Sequence, residues 1–263
     1  MTSSTTIAGH ARSAPPGLSA RDVSHHYGSV AALSSVSIAV APGALLAIVG
    51  ESGSGKTSLL RCFNRMMEPA SGVIAIDGVD VRTLDAVSLR RRVGYVPQHG
   101  GLLPHWTVLQ NAAVVPRLTG HADPDAAARA ALERCGLPPS DFGARYPHQL
   151  SGGQRQRAAL ARALAASQDV LLLDESFGAL DAISRHELLE EFTALRTSLG
   201  FTAILVTHDL GEAARLADTI AVMRAGRIEQ CAPLADLLAT PGTPYVAELL
   251  HRAQASADAL LHR

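Results

Sequence analysis

Three short stretches of this sequence hold residues whose types and spacing suit chemistry on phosphate. "GESGSGKT", Gly50 to Thr57, fits G-x-x-x-x-G-K-[ST], with an apolar run before it and a helix-like run after it. Gly50, Gly53 and Gly55 let backbone N–H groups wrap an anion, and the positive end of a following helix adds a favourable dipole. Ser52 and Ser58 belong to the same cradle. Lys56 can reach β- and γ-phosphates, and Thr57 offers Mg²⁺ a hydroxyl. "LLLDE", Leu171 to Glu175, reads as a buried strand that ends in two carboxylates. At the C-terminal edge of a parallel sheet, where ligands bind, Asp174 would hold Mg²⁺ directly or through water. Glu175 would act there as general base on an attacking water. The third stretch is "HQLSGGQRQR", His148 to Arg157. Ser151 supplies a hydroxyl, Gly152 and Gly153 allow close backbone approach, and a helix starts at this point with its positive end. One chain thus carries two loops built to approach an anion, a hundred residues apart.

Two single residues are weaker candidates. Tyr27, in "HHYG", either stacks on a nucleobase, an interaction worth about 1 to 3 kcal/mol, or simply ends a strand. His208, in "VTHD", either hydrogen-bonds a terminal phosphate or is a satisfied core histidine, and position alone leaves both open. His25 and His26 have no partner at metal-ligand spacing and read as structural.

The elements that must position these groups follow from pattern. Leu18 to Val40 alternates like paired strands, "APG" at 41–43 is a turn, and "ALLAIVG" suits a buried parallel strand. "KTSLLRCFNRMM" predicts a helix with Leu59, Leu60, Phe63 and Met66 or Met67 on one side. "VIAIDG" and "VGYVPQ" are short strands. From about Leu102 to "RQRAALARALAAS" the chain is Ala-rich and helical, divided at Pro116, Pro124 and Pro138-Pro139. Strands resume in "DVLLLDE", "FTAILVTHD" and "TIAVMRAG", with helices between them. That alternation predicts a mainly parallel sheet under helical cover, interrupted by a helical insertion. "PLADLLA" and "PYVAELLHRA" read as closing helices.

Composition narrows the function classes. Hydrophobic residues at 47% and charged residues at 18% allow a real core, and aromatics at 4% leave Ala, Leu and Val to build it. A net charge of -1 with no basic run longer than "LRRRV" argues against nucleic acid as a partner. Cys62, Cys135 and Cys231 are far apart and lack metal spacing, so they read as reduced, mostly buried thiols. No apolar run is long enough to span a bilayer, and the first residues lack the apolar core of a secretory signal. The expectation is a soluble, cytoplasmic chain with a disordered, small-residue tail at 1–17.

Taken together, Tyr27, "GESGSGKT", "VPQ" with Gln98, "LSGGQ", "LLLDE", "GALD" with Asp181 and "VTHD" with His208 resemble the ATP-binding subunit of ABC transporters. All occur in that family's order, over about residues 18–250. The resemblance implies an α/β fold: a P-loop NTPase domain with a RecA-like core, an antiparallel β subdomain and an inserted α-helical subdomain at about 102–165, then a tail at 251–263. It implies ATP and Mg²⁺ as ligands, with Thr57, Asp174 and Gln98 around the metal. It also implies a head-to-tail homodimer, in which Ser151, Gly152, Gly153 and Gln154 meet the γ-phosphate held by the other protomer. Asp181 would sit at the dimer seam. His208 and Gln98 would join Glu175 in hydrolysis, and the helical insertion would dock on an integral-membrane permease. "LLPHWTV", "NAAVVPRL" and "RYPHQLSGGQ" resemble more narrowly the importers of osmoprotectants and quaternary amines: glycine betaine, choline or carnitine. These imply an extracytoplasmic solute-binding protein and a peripheral position on the inner face of the membrane. Amino-acid and methionine importers share the same ATPase plan.

Three departures stand out. The family usually has Pro after the catalytic Glu, where this chain has Ser176; a Pro would restrict the backbone of Glu175. "PQHGG" differs beside Gln98. Regulatory CBS domains, which many of these ATPases carry after the closing helix, are not expected before Arg263. Of the other classes, a DNA- or ribosome-acting ABC ATPase would carry two cassettes or a long coiled coil. A lone P-loop kinase or GTPase would leave "LSGGQ" without work.

Overall fold

A computed structural model of the chain describes residues 15–178 and 182–261. It opens with the strands β1 (Leu18–Tyr27), β2 (Val30–Val40) and β3 (Leu45–Val49), followed by helix α1 (Lys56–Phe63). Next come β4 (Ser71–Ile76), β5 (Val79–Asp80), α2 (Ala86–Arg92) and β6 (Val93–Val96). Helices α3 (Val108–Leu118), α4 (Pro124–Arg134), α5 (Pro139–Phe142) and α6 (Gly152–Leu164) follow with no strand between them. The chain then alternates through β7 (Val170–Asp174), α7 (Ala182–Leu199), β8 (Thr202–Thr207), α8 (Leu210–Leu216) and β9 (Thr219–Arg224). It ends with β10 (Arg227–Ala232), α9 (Leu234–Ala239) and α10 (Pro244–Leu261).

The larger sheet has the order β10-β9-β3-β8-β7-β6, parallel from β9 to β6. β3, β7 and β8 are buried along their whole length because the sheet is covered on both faces. Leu45, Ala47 and Val49 pack into a core shared with α6, α7 and the helical insertion. Leu46 and Ile48 point the other way, onto Leu59, Leu60 and Phe63 of α1 and onto the small antiparallel sheet β2-β1-β4-β5. Register decides where the site can be. Val49 stands opposite Thr207, Asp174 opposite Val206, and Val96 opposite Leu173. The ladders therefore end almost level, and the residues that follow β3, β6, β7 and β8 emerge along one edge.

In the insertion, local signals set the helix starts. Thr107 and Gln110 form a capping box on α3, Asp123 caps α4 just before Pro124, and Ser151 caps α6. Alanines such as Ala112, Ala131 and Ala159 are fully or almost fully buried where α3, α4 and α6 close on one another.

Three features differ from sequence expectation. Helix α1 stops at Phe63 rather than Met67, because Arg65 turns to a left-handed φ of 53°. The Arg65 guanidinium then donates to the Leu84 carbonyl at 2.6 Å, and the turn buries Met67 while leaving Met66 exposed. Pro116 does not divide two helices. It lies in the last turn of α3, where its ring is buried, and Thr119 N–H still reaches the Val115 carbonyl at 2.9 Å. The strand β10, "RIEQCA", is too polar for a strand buried on both faces; it pairs antiparallel with β9 at the edge of the sheet. Cys62 and Cys135 are buried, and burial pushes both thiols up to about 12. Cys231, on that edge strand, is exposed.

Phe177, Phe192 and Phe201 form a chain of rings between α7 and the sheet, with centroids 5.6 Å and 5.9 Å apart. Phe192 is completely buried. Phe192→Ala should destabilise the domain by about 3–5 kcal/mol in guanidinium unfolding. A loss below about 1 kcal/mol would show that the neighbouring side chains close over the gap.

Candidate functional site

The loop between β3 and α1 needs glycine for lack of space as well as for conformation. A Cβ on Gly50, at φ 152°, would stand 2.0 Å from the Met223 carbonyl oxygen. One on Gly55, at φ 103°, would stand 2.3 Å from that of Ala32. The loop folds around the Lys56 ammonium, which is only 5% exposed and donates to the carbonyls of Gly50 (2.8 Å) and Glu51 (2.7 Å). Desolvation pushes the Lys56 pKa down, and the carboxylates of Glu175, Asp174 and Glu51 pull it back up.

Thr57 points across to the end of β7. Its hydroxyl donates to one Asp174 carboxylate oxygen at 2.7 Å, and the Tyr95 hydroxyl donates to the other at 3.2 Å. Arg61 lies 3.9 Å from the same carboxylate, which is 3% exposed. Adjacent hydroxyl and carboxylate oxygens are the donors a hard divalent cation takes. Among the described residues no three His, Cys, Asp or Glu side chains cluster as a metal cage. The residues therefore fit Mg²⁺ as a nucleotide enzyme holds it, with few protein ligands and the rest from phosphate and water.

Glu175 follows immediately. Its N–H bonds the Val206 carbonyl at 2.8 Å, and its φ of 46° turns the side chain out of the sheet. The Gln98 amide donates to Glu175 Oε2 at 2.8 Å, and His208 Nδ1 lies 3.6 Å from the same oxygen. Tyr27, Ser52, Gly53, Gly55, Lys56, Thr57, Ser58, Gln98, Glu175 and His208 line one cavity of about 500 Å³. Val30, Ala31 and Ala32 complete the wall beneath Tyr27. The Tyr27 ring is 54% exposed at the rim, with its hydroxyl held on the Met67 sulfur at 2.9 Å.

The Ser-Gly-Gly loop is elsewhere. Ser151 accepts from Gln154 N–H at 3.2 Å, and the Gln154 side chain returns the bond to Ser151 N–H at 3.0 Å. Gly152 and Gly153 form the first turn of α6. Ser151, Gly153 and Gln154 line a separate cavity of about 310 Å³ beside Arg157. They take no part in the wall of the first cavity. The far end of α6 does reach toward it: Arg162 donates to the carbonyls of Gly100 (2.7 Å) and Gly101 (2.6 Å), in the loop that carries Gln98. Asp181 lies outside the described residues.

Sequence reasoning missed several supporting residues. Tyr95 and Arg61 flank Asp174. Buried Asn111 bonds Leu103, Trp106 and Thr107, so it shapes the loop between Gln98 and α3. Behind His208, the Thr207 hydroxyl donates to Glu212 at 2.6 Å and accepts from Asp209 N–H at 3.0 Å. Arg185 reaches Asp209 at 3.2 Å and the Gly178 carbonyl at 3.4 Å. Only Asn111 had a sequence signal, a polar residue on the apolar face of α3.

Residues 33–178 match the ABC transporter family. The choline transport ATP-binding protein OpuBA of Bacillus subtilis is 42% identical over 89% of this chain and 62% of its own length. The glycine betaine uptake system ATP-binding protein YehX of Escherichia coli is 42% identical over 88% of this chain and 76% of its own. The chain thus spans less than two thirds of the first of these relatives. The dimeric structure of MJ0796, a bacterial ABC transporter cassette, superposes with a TM-score of 0.75 at 30% identity, over 82% of this chain and 98% of that one. The same cassette in a post-hydrolysis state bound to ADP and Pi superposes equally well.

Burial raises the pKa of Glu212, while its bond from Thr207 and the nearby Arg185 oppose the shift. Below the ordinary value of 4.5 the group is protonated in both folded and unfolded states. As pH rises through the raised native value, a charge must be buried and stability falls. In urea unfolding at pH 5 and pH 8, wild type should lose stability relative to Glu212→Gln as pH rises. A gap that stays constant over that range would mean that Glu212 titrates as an ordinary carboxylate.

Proposed function

This chain belongs to the ABC transporter family, and from that premise we propose that it is the ATP-hydrolysing subunit of an importer for osmoprotectants of the glycine betaine or choline type. One observation carries the ATPase reading: the cavity gathers a phosphate loop with Thr57, a carboxylate and a histidine, with Asp174 bonded to Thr57 beside it, while the Ser151 loop stands apart on the same chain. Similarity to choline and glycine betaine transport ATP-binding proteins supports the solute class.

ATP enters with its adenine on the exposed face of Tyr27 and its phosphates in the loop from Gly50 to Ser58. The Lys56 ammonium, now held by two loop carbonyls, turns to phosphate oxygens, and their charge pulls its pKa back up. Thr57 and Asp174 would hold Mg²⁺, with the Gln98 side chain beside them, and the ion would supply positive charge against the phosphate oxygens. Glu175 takes the proton of the attacking water. Gln98 fixes the carboxylate that receives it, and His208 faces that carboxylate and the terminal phosphate together.

A second copy of the chain completes the site. Ser151, Gly152, Gly153 and Gln154, at the positive end of α6, close on the γ-phosphate held by the other protomer. Asp181 belongs to the same seam. ATP is then the adhesive of a head-to-tail homodimer, and hydrolysis releases it. Exposed Leu103 and Trp106, at the start of the helical insertion, offer a permease an apolar foothold. Arg162 joins that segment to α6 and hence to Ser151. No helix among the described residues is long and apolar enough to cross a membrane, and in this proposal the permease is a separate subunit. We place the chain on the cytoplasmic face, with an extracytoplasmic binding protein delivering the solute.

Glu175→Gln should bind Mg-ATP, stop turnover and sediment as a dimer only with nucleotide; normal turnover in this variant would remove Glu175 as the base. Ser151→Ala or Gly152→Asp should cut hydrolysis at least about tenfold while the monomer's ATP affinity stays within about twofold. Loss of ATP binding by the monomer would place the Ser151 loop in the chain's own site. Uptake of labelled glycine betaine by vesicles that contain a quaternary-amine permease should require this subunit, and uptake that proceeds without it would sink the assigned solute class.

A further inference from the structure

The hydrolytic groups stand beyond the reach of the ladder that should align them. The β6–β7 pairing ends at Val96 and Leu173. Gln98 and Glu175 each come two residues later, yet they meet at 2.8 Å. Past the last rung, two parallel strand ends are free to splay unless side chains join them. Tyr95 reaches Asp174. Deeper in, Ser176, only 3% exposed, donates its hydroxyl to the Val96 carbonyl at 3.3 Å. A hydroxyl sealed from water needs a partner, and the Val96 carbonyl is the acceptor within its reach.

The residue held by this contact has an uncommon backbone. Glu175, at φ 46°, is in the left-handed region, which a non-glycine residue keeps only where its surroundings over-determine it. Its N–H is fixed on Val206 of β8, and the next residue is fixed by Ser176 Oγ on β6. Glu175 is therefore clamped between both neighbouring strands. Either clamp alone would leave its carboxylate free to swing away from Gln98.

We propose that Ser176 is a positioning residue of the hydrolytic site: its hydroxyl ties the backbone after Glu175 to the end of β6 and so sets the Gln98–Glu175 contact. The inference rests on the hydrolytic role proposed above for Glu175. If wild-type protein does not hydrolyse ATP, that role fails without any variant being made. If wild type hydrolyses ATP and the Ser176 variants match it, only the positioning role fails.

The test uses the full chain with Mg-ATP and four variants: Ser176→Ala, Ser176→Cys, Gln98→Ala and the double variant of Ser176→Ala with Gln98→Ala. Each is measured for kcat, KM, ADP affinity and unfolding midpoint. Cys has the shape of Ser at slightly larger size and donates weakly. Ser176→Ala and Ser176→Cys should both lower kcat by about five- to tenfold, with KM and ADP affinity within about twofold of wild type. In the Gln98→Ala background, Ser176→Ala should change kcat by less than about twofold, because the contact it positions is already gone. Three results would overturn the proposal. Ser176→Cys could match wild type, which would make the role one of volume. The two substitutions could act additively, which would separate Ser176 from Gln98. ADP affinity and the unfolding midpoint could fall in step with kcat, which would make the role one of general packing.

Discussion

Everything in this site depends on the register of one parallel sheet. Val49 opposite Thr207, Asp174 opposite Val206 and Val96 opposite Leu173 bring four strand ends to a common edge. Parallel strands all leave the sheet in the same direction, so the loops after β3, β6, β7 and β8 share a crevice without any loop having to be long. A slip of one residue in β7 would turn Asp174 to the other face of the sheet and break its bond from Thr57. The unbroken burial of β3, β7 and β8 makes that slip costly: such strands have no polar face to expose.

The second constraint is stiffness between distant points. Helix α6 begins at the Ser151 cap and, three turns on, grips the Gly100 and Gly101 carbonyls through Arg162. Asn111 fastens the intervening loop to α3. The Ser151 loop and the Gln98 loop are therefore two ends of one connected piece. In the proposed dimer, closing Ser151 on a partner's nucleotide cannot leave Gln98 in its own site unaffected. A connection of this kind needs two discrete arrangements of a packed element.

The motif residues were legible in the sequence because phosphate chemistry leaves few substitutes. Only glycine fits against the Met223 and Ala32 carbonyls at Gly50 and Gly55. Only a long ammonium such as that of Lys56 both fills the loop and answers the phosphates. The strands were legible for a similar reason, since burial on both faces demands unbroken apolar runs. Edge and terminal features were not. β10 is half-exposed, so its pattern carries no burial signal. The early stop of α1 depends on Arg65 finding the Leu84 carbonyl, a contact between segments 19 residues apart. Pro116 survives inside α3 because tertiary burial outweighs a local rule. Tyr95 and Ser176 act through contacts that no local window contains.

The departures from ordinary protein chemistry fall along the same sheet edge. Lys56 is a buried ammonium, Glu212 a buried carboxylate with raised pKa, and Glu175 a left-handed non-glycine residue. Each opposes folding and is held by its neighbours: Lys56 by two loop carbonyls, Glu175 by Val206 and Gln98, and Glu212 by the Thr207 hydroxyl. Away from that edge α3 and α6 carry capping boxes and Phe192 of α7 is fully buried, while Arg65 and Pro116 depart from local preference for reasons of packing alone. Buried charge gathered at one edge is expected where a structure is shaped for a ligand's charge rather than for its own stability. The Lys56 ammonium is solvated by the carbonyls of its own loop, so in the proposed function phosphate would not have to create the cavity. It would take over the role those carbonyls fill, which would lower the reorganisation needed on binding.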